Sequence, residues 1–171
     1  MIFKMLFLRA ACLLPLVLLG SCSTVQFYSQ AIQGQSEVFD KARPVAEVKA
    51  DPVTKLLLSQ RLDVVAEMLT FAKKELHLPS KGQYERYTDL KRPYVVWVVY
   101  AAPEFSVEGK TWSYPFIGKL EYRGFFSEDL AEREAEKWRR QGMDVHVGGV
   151  SAYSTLGIFR DPLLNTFIGR P

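Results

Sequence analysis

Few residues in this chain are equipped for metal or acid–base chemistry. It has two histidines, His77 and His146, and two cysteines, Cys12 and Cys22. A zinc peptidase motif of the H-E-x-x-H type sets two histidines one helical turn apart, with glutamate as general base. No such string occurs: Glu75-Leu76-His77 has the reverse order and no second histidine follows. His77 falls at the end of an expected helix, where an imidazole suits the C-terminal dipole. His146 falls in an expected strand, and both histidines read as structural. The nucleophile elbow G-x-S-x-G is absent, since Gly149-Val150-Ser151-Ala152-Tyr153 ends wrongly. Phosphate-binding glycine loops are absent too. Glu104, Glu108 and Glu121 offer acid–base pairs, but sequence sets no distance between them, and glutamates on loops are usually solvated. The residues alone therefore name no catalytic group, no metal ligand and no cofactor.

The cysteines have a different chemistry. Of the first 21 residues 16 are apolar and none is acidic, and Lys4 and Arg9 form a positive start. This is a secretory signal pattern. The apolar core Ala10–Leu19, broken by Pro15, is about half the ~20 residues a membrane-crossing helix needs. The alternative is a short anchor that stays uncleaved. Leu19-Gly20-Ser21-Cys22 resembles a bacterial lipoprotein signal, in which small residues precede a cysteine whose thiol takes the lipid. Residues 1–21 are then a lipoprotein signal peptide, and residues 22–171 the mature chain. Several acyl chains, at about 0.8 kcal/mol per buried CH₂, give lasting anchorage to the membrane. Ser23 after the cysteine suggests the outer membrane, facing the periplasm, by resemblance to lipoprotein sorting. Cys12 leaves with the leader and Cys22 is used for lipid, so a cysteine zinc site or nucleophile is excluded.

Removing the leader leaves 150 residues with 20 basic against 19 acidic side chains. The formal charge of +3 on the whole chain thus belongs mostly to the leader. No basic stripe survives, which disfavours a nucleic-acid partner. The apolar content, 48% over the whole chain, suffices for a core.

These residues need elements to position them. Thr24 to Arg43 has apolar residues at mixed three- and four-residue spacing and reads as a helix, weakened by Gly34 and ended by Pro44. Ala42 to Lys49 reads as a link. Asp51-Pro52 suggests an N-cap with proline at the first helical position. Leu58, Leu62, Val65, Leu69, Ala72 and Leu76 follow at helical spacing, with a second row Leu57, Val64, Met68 and Phe71. The spacing predicts a helix over 52–76 with a wide apolar face. Two such helices suggest an antiparallel pair. Tyr94 to Tyr100, YVVWVVY, predicts a strand buried on both faces. Residues 102–116 read as a loop carrying Phe105, Trp112, Tyr114 and Phe116, either lining a groove for peptide or glycan or packed as a lid. A second strand is expected near Lys119–Arg123. A helix follows from Ser127 to a terminal Gly142, then a third strand over Asp144–Val150. Gly148-Gly149 suggests a bulge or a close backbone approach, and Asp161-Pro162 suggests the cap of a last short helix. The expected class is α+β: an N-terminal helix pair followed by a small β-β-α-β sheet unit.

Several strings occur together in one order: Arg92-Pro93-Tyr94-Val95-Val96-Trp97, Ala101-Ala102-Pro103-Glu104-Phe105-Ser106, Lys110-Thr111-Trp112, Gly148-Gly149-Val150, Ala152-Tyr153-Ser154-Thr155-Leu156-Gly157, and Asp161-Pro162-Leu163-Leu164-Asn165-Thr166. They resemble the predicted bacterial aminopeptidase family of lipoproteins. The resemblance implies a zinc-dependent peptidase in which the metal polarises the peptide carbonyl and activates water. Members are longer and carry an H-E-x-x-H helix shortly after this region. The present sequence reads Gly169-Arg170-Pro171 at its end, before such a helix, so no zinc ligand or catalytic glutamate carries over, and the expectation is a chain inactive alone. Exposed apolar surface is a further expectation of that view. By the same resemblance Tyr153, Ser154 and Thr155 form the lip of a peptide-substrate cleft, and Asn165 and Thr166 brace the zinc helix; Trp112, in the aromatic loop, is a further substrate-binding candidate. Turn and packing chemistry is the other reading of these residues. The alternative function is a non-enzymatic envelope lipoprotein that binds a peptide or protein partner.

Overall fold

A computed structural model describes residues 23–79, 81–115 and 117–169. The leader, Cys22 and Phe116 lie outside the described residues. The described chain opens in a helix over 23–40, α1. Its buried positions are Phe27, Gln30, Gly34 and Val38, one stripe at steps of three and four. After a two-residue strand β1 (Arg43–Pro44) come α2 (Val45–Ala50) and α3 (Leu56–Lys74). Then follow β2 (Arg86–Thr88), β3 (Val96–Pro103), β4 (Trp112–Tyr114), β5 (Gly118–Leu120) and β6 (Arg123–Phe125). The chain finishes with α4 (Glu128–Arg139), β7 (Met143–Val150), β8 (Leu163–Leu164) and α5 (Asn165–Ile168). This is the expected α+β class.

The central sheet has the order β6-β3-β7, antiparallel throughout. β6 and β7 therefore run parallel, and α4 carries the chain over β3 from one edge to the other. β3 is buried on both faces over residues 96–99, as the β-branched and aromatic run predicts, while Tyr100 is exposed. Trp97 and Val99 face α4 and pack with Phe27, Phe125, Ala131 and Ala135. Val96 and Val98 face the other way and pack with Val38, Leu90 and Leu164. α1 reaches both clusters because it crosses the β6 edge. There the Gln30 amide donates to the Gly124 carbonyl at 3.4 Å and accepts from the Phe126 N–H at 3.0 Å. The buried glutamine thus satisfies backbone groups that an open edge strand would leave bare.

A second sheet, β1-β2-β8, pairs β1 with β2 antiparallel and β2 with β8 parallel. It carries a smaller core of Val48, Leu62, Tyr87, Leu163 and Ile168. Leu163 and Leu164 point to opposite faces of β8, as neighbours on a strand must, and so join the two cores.

Several local expectations change. Residues 45–50, expected as a link, form α2. α3 begins at Leu56 and not at Pro52: the Asp51 carboxylate accepts from the Val53 N–H at 3.2 Å and its carbonyl from the Thr54 N–H at 3.0 Å, but this closes a single turn, and a new helix starts after Lys55. The two expected N-terminal helices serve separate cores, α1 the central sheet and α3 the small one. Part of the expected loop 102–116 is strand, with β4 forming a hairpin with β5. Gly149 sits in unbroken register opposite Trp97, so there is no bulge. It is a close approach instead: a Cβ there would lie 2.3 Å from the Tyr94 ring. Gly142 has φ +77° just after α4, where a left-handed residue closes the helix.

α3 is half-used. Its inner row packs through Leu62, Leu58 and Val65. Its outer row is exposed: Leu57 57%, Val64 47%, Met68 63% and Phe71 56%.

Candidate functional site

The segment after β7 holds the residues that the resemblance points to. Tyr153 packs its ring edge-on against Phe126 at 5.7 Å and donates its hydroxyl to Gln35 Oε1 at 2.6 Å. Burial pushes its phenol up to about 12. A phenol so held stays protonated at neutral pH and serves as a hydrogen-bonding anchor, not as a base.

Ser154 and Thr155 turn inward onto Asp161, a buried carboxylate. Asp161 Oδ2 accepts the Thr155 N–H at 3.0 Å and Oδ1 accepts the Thr155 hydroxyl at 2.7 Å. Ser154 Oγ lies 3.5 Å from Oδ2 and accepts the Leu156 N–H at 3.0 Å. The backbone of Asp161 is held as well. Its N–H donates to Gln83 Oε1 at 2.6 Å, and its carbonyl accepts the Tyr84 N–H at 2.9 Å. The Asp161-Pro162 pair therefore does not cap the last helix; α5 starts at Asn165 behind Leu164. Asp161 closes the 151–161 loop instead. The signal for this was an aspartate six and seven residues beyond adjacent hydroxyls, a common pattern with no unique reading.

Asn165 and Thr166 stitch the end of this segment to the sheets. Asn165 Oδ1 accepts the Leu90 N–H at 2.8 Å, and Thr166, fully buried, donates to the Ser151 carbonyl at 2.6 Å. Arg92 completes the framework. It donates to the Tyr94 carbonyl at 3.1 Å and to Glu37 at 2.8 Å. Burial works to raise the Glu37 carboxyl, but the hydrogen bonds and charges of Lys41 and Arg92 outweigh it and hold the group below its ordinary value.

Trp112 is not brought to this segment. It lies on the α4 side of the central sheet, edge-on to Trp138 at 6.1 Å, whereas Tyr153 packs on the opposite face. Lys110 Nζ sits 4.0 Å from the Trp138 ring and 5.6 Å from that of Trp112, a cation–π contact. Tyr114 packs onto the same core, while Phe105 is exposed. The described aromatic residues of this stretch, Phe105, Trp112 and Tyr114, are thus divided between a packed hairpin and an open tip.

The two histidines lie apart in role. His77 follows α3 in an exposed left-handed turn, φ 52°. His146, exposed on β7, stacks on Tyr100 at 6.4 Å. Glu104, Glu108 and Glu121 are exposed. Among the described residues no three His, Cys, Asp or Glu side chains converge on a point where a metal ion could sit. The described residues therefore do not fit the zinc centre that the resemblance implies.

Sequence reasoning missed a groove of about 800 Å³ where α2, α3, β2 and α5 meet. Its lining includes Lys41, Arg43, Lys55, Arg61 and Lys91, with Asp51 and Asp89 as the acidic members. These cations are scattered over 50 residues of chain, so no run in the sequence marks them.

A family model described as "Putative aminopeptidase" matches residues 26–171. The chain belongs to this family. The match spans every element above apart from the first turn of α1, so the Asp161-braced loop and the groove both lie within the matched residues. Comparison with curated proteins gave no match, and comparison with solved structures gave none. Among the described residues no helix is long and apolar enough to cross a membrane.

The buried phenols of this aminopeptidase-family chain predict its alkaline limit. Burial raises Tyr87 and Tyr114, like Tyr153, to about 12. Tyrosines in the unfolded chain ionise near 10. Raised folded-state values mean that the associated stability is intact below pH ~10 and lost as pH rises through about 12. Unfolding in step with phenolate absorbance is expected in that window. Tyr153→Phe should make the loss shallower, measured as urea midpoints against pH.

Proposed function

We propose that this chain is a lipid-anchored envelope protein, held to the outer membrane through an acylated Cys22, that supplies the peptide-binding framework of a metallopeptidase and no metal centre of its own. The family match over residues 26–171 carries the peptidase part of the reading, and the signal pattern before Cys22 is what supports the anchor. The separate placements of His77 and His146 support inactivity of these residues alone, since a zinc site needs three protein ligands around one point. Zinc, when bound in a peptidase, polarises the scissile carbonyl and activates water. The chain's own contribution is rigidity. The Asp161 cluster fixes the 153–155 turn, and Asn165 and Thr166 fix α5 beside the groove. A substrate lip at 153–155 would present backbone groups, because the Ser154 and Thr155 hydroxyls are already engaged with Asp161.

Two measurements test the proposal. Purified protein is expected to hold no stoichiometric zinc and to release no amine from aminoacyl nitroanilides. Zinc at one equivalent with turnover would refute the inactive-framework reading. Cys22→Ser should abolish incorporation of labelled fatty acid, and retained label would refute the anchor.

A further inference from the structure

We infer that the groove and the outer row of α3 together seat an acidic amphipathic helix of a partner protein. The groove is unequal in charge, with five cationic side chains lining it against two carboxylates. Both carboxylates are already engaged, Asp51 with Arg43 at 3.0 Å and Asp89 with Lys91 at 2.6 Å. Lys41 shares its carboxylate, Glu37, with Arg92. The rim therefore retains a positive excess that an acidic occupant complements.

The floor and the row are apolar. Val48, Leu58 and Ile168 lie at the base of the groove. Leu57 and Arg61 line it and also begin the outer row of α3, which continues through Val64, Met68 and Phe71. The steps of four, three, four and three keep these residues on one stripe. From Leu57 to Phe71 the stripe runs about 21 Å at 1.5 Å per residue. A second helix laid along it matches that length, inserting apolar residues at i, i+3, i+4 and i+7. Arg61 sits where stripe and groove meet, its guanidinium donating to the Ile168 carbonyl at 2.6 Å. An isolated small anion would leave the stripe bare, whereas an acidic helix covers both parts. This inference stands apart from the peptidase reading, because it needs no metal and no substrate.

The test uses the full chain in nanodiscs of neutral phosphatidylcholine. The probe is a fluorescent designed helix with leucine on one stripe and glutamate elsewhere, compared with the same peptide carrying lysine for glutamate. The acidic peptide is expected to bind saturably, and the lysine peptide at least tenfold more weakly. Affinity for the acidic peptide should fall about tenfold between ~0.01 M and ~0.15 M salt, as the screening length drops from ~30 Å to ~8 Å. Val64→Glu and Met68→Glu, on the exposed stripe, and Lys55→Glu, on the rim, should each weaken binding about tenfold or more, with unchanged circular dichroism. Equal binding of both peptides, no binding, or unaltered binding by the stripe variants would overturn the inference. Self-association of the free protein abolished by Val64→Glu would also overturn it, by making a second copy the occupant.

Discussion

Asp161→Ala is expected to destabilise the protein by about 2 kcal/mol, within the range for losing hydrogen bonds to a charged group. Asp161 is 8% exposed and takes three donors from Ser154 and Thr155, the backbone N–H among them. Alanine supplies no acceptor, so the loop loses the group that ties residues 154 and 155 to its far end. Asp161→Asn keeps one acceptor oxygen but turns an amide toward the remaining donor, so its cost should be intermediate. Urea unfolding of the three proteins measures the order. Limited proteolysis adds a local readout, because only loss of the Asp161 brace should speed cleavage within 151–160. Equal midpoints for wild type and Asp161→Ala would show that the loop holds itself without the carboxylate.

The second large effect concerns a glycine in a helix. By helix propensity alone, Gly34→Ala in α1 should stabilise by about 1 kcal/mol. The packing predicts the opposite sign. A Cβ on Gly34 would lie 2.0 Å from Cγ and 2.3 Å from Cβ of Phe126. Those atoms sit at the root of the side chain, so a rotamer change cannot clear them, and α1 must shift from the sheet edge. That shift strains the Gln30 contacts with Gly124 and Phe126. Overpacking costs about 1–3 kcal/mol and sometimes more, so a net loss of about 2 kcal/mol is expected in thermal or urea unfolding. Phe126→Ala in the same chain should recover part of the loss, giving a favourable coupling energy in the double-mutant cycle. A stabilised Gly34→Ala would mean that α1 does not rest on Phe126.

Legibility followed the range of the forces involved. The β3 strand was plain from YVVWVVY, since a run with no polar alternation fits only a strand covered on both faces. α4 and β7 were equally clear from Ser127, Gly142 and the valine alternation. Asp51 and Asp161 were misread as helix caps for one reason. A carboxylate next to proline satisfies the cap rule, yet Asp51 closes only a single turn and Asp161 is drawn back to Thr155. α2 was missed because six residues carry too little periodicity to stand out.

The candidate site divides in the same way. Tyr153, Ser154 and Thr155 were found through the ordered strings they belong to, but their use was not. Only the fold shows their hydroxyls turned to Gln35 and Asp161, and Trp112 placed across the sheet from them.

By itself the sequence determined the α+β class, the buried central strand and the lack of an H-E-x-x-H string in these residues, because each is written in contiguous residues. Tertiary structure alone decided that α1 closes the β6 edge, that Gly34 is room for Phe126 and that five distant cations share one groove. These depend on residues far apart in the chain meeting in space, and no local pattern of side chains encodes which distant surface each will meet.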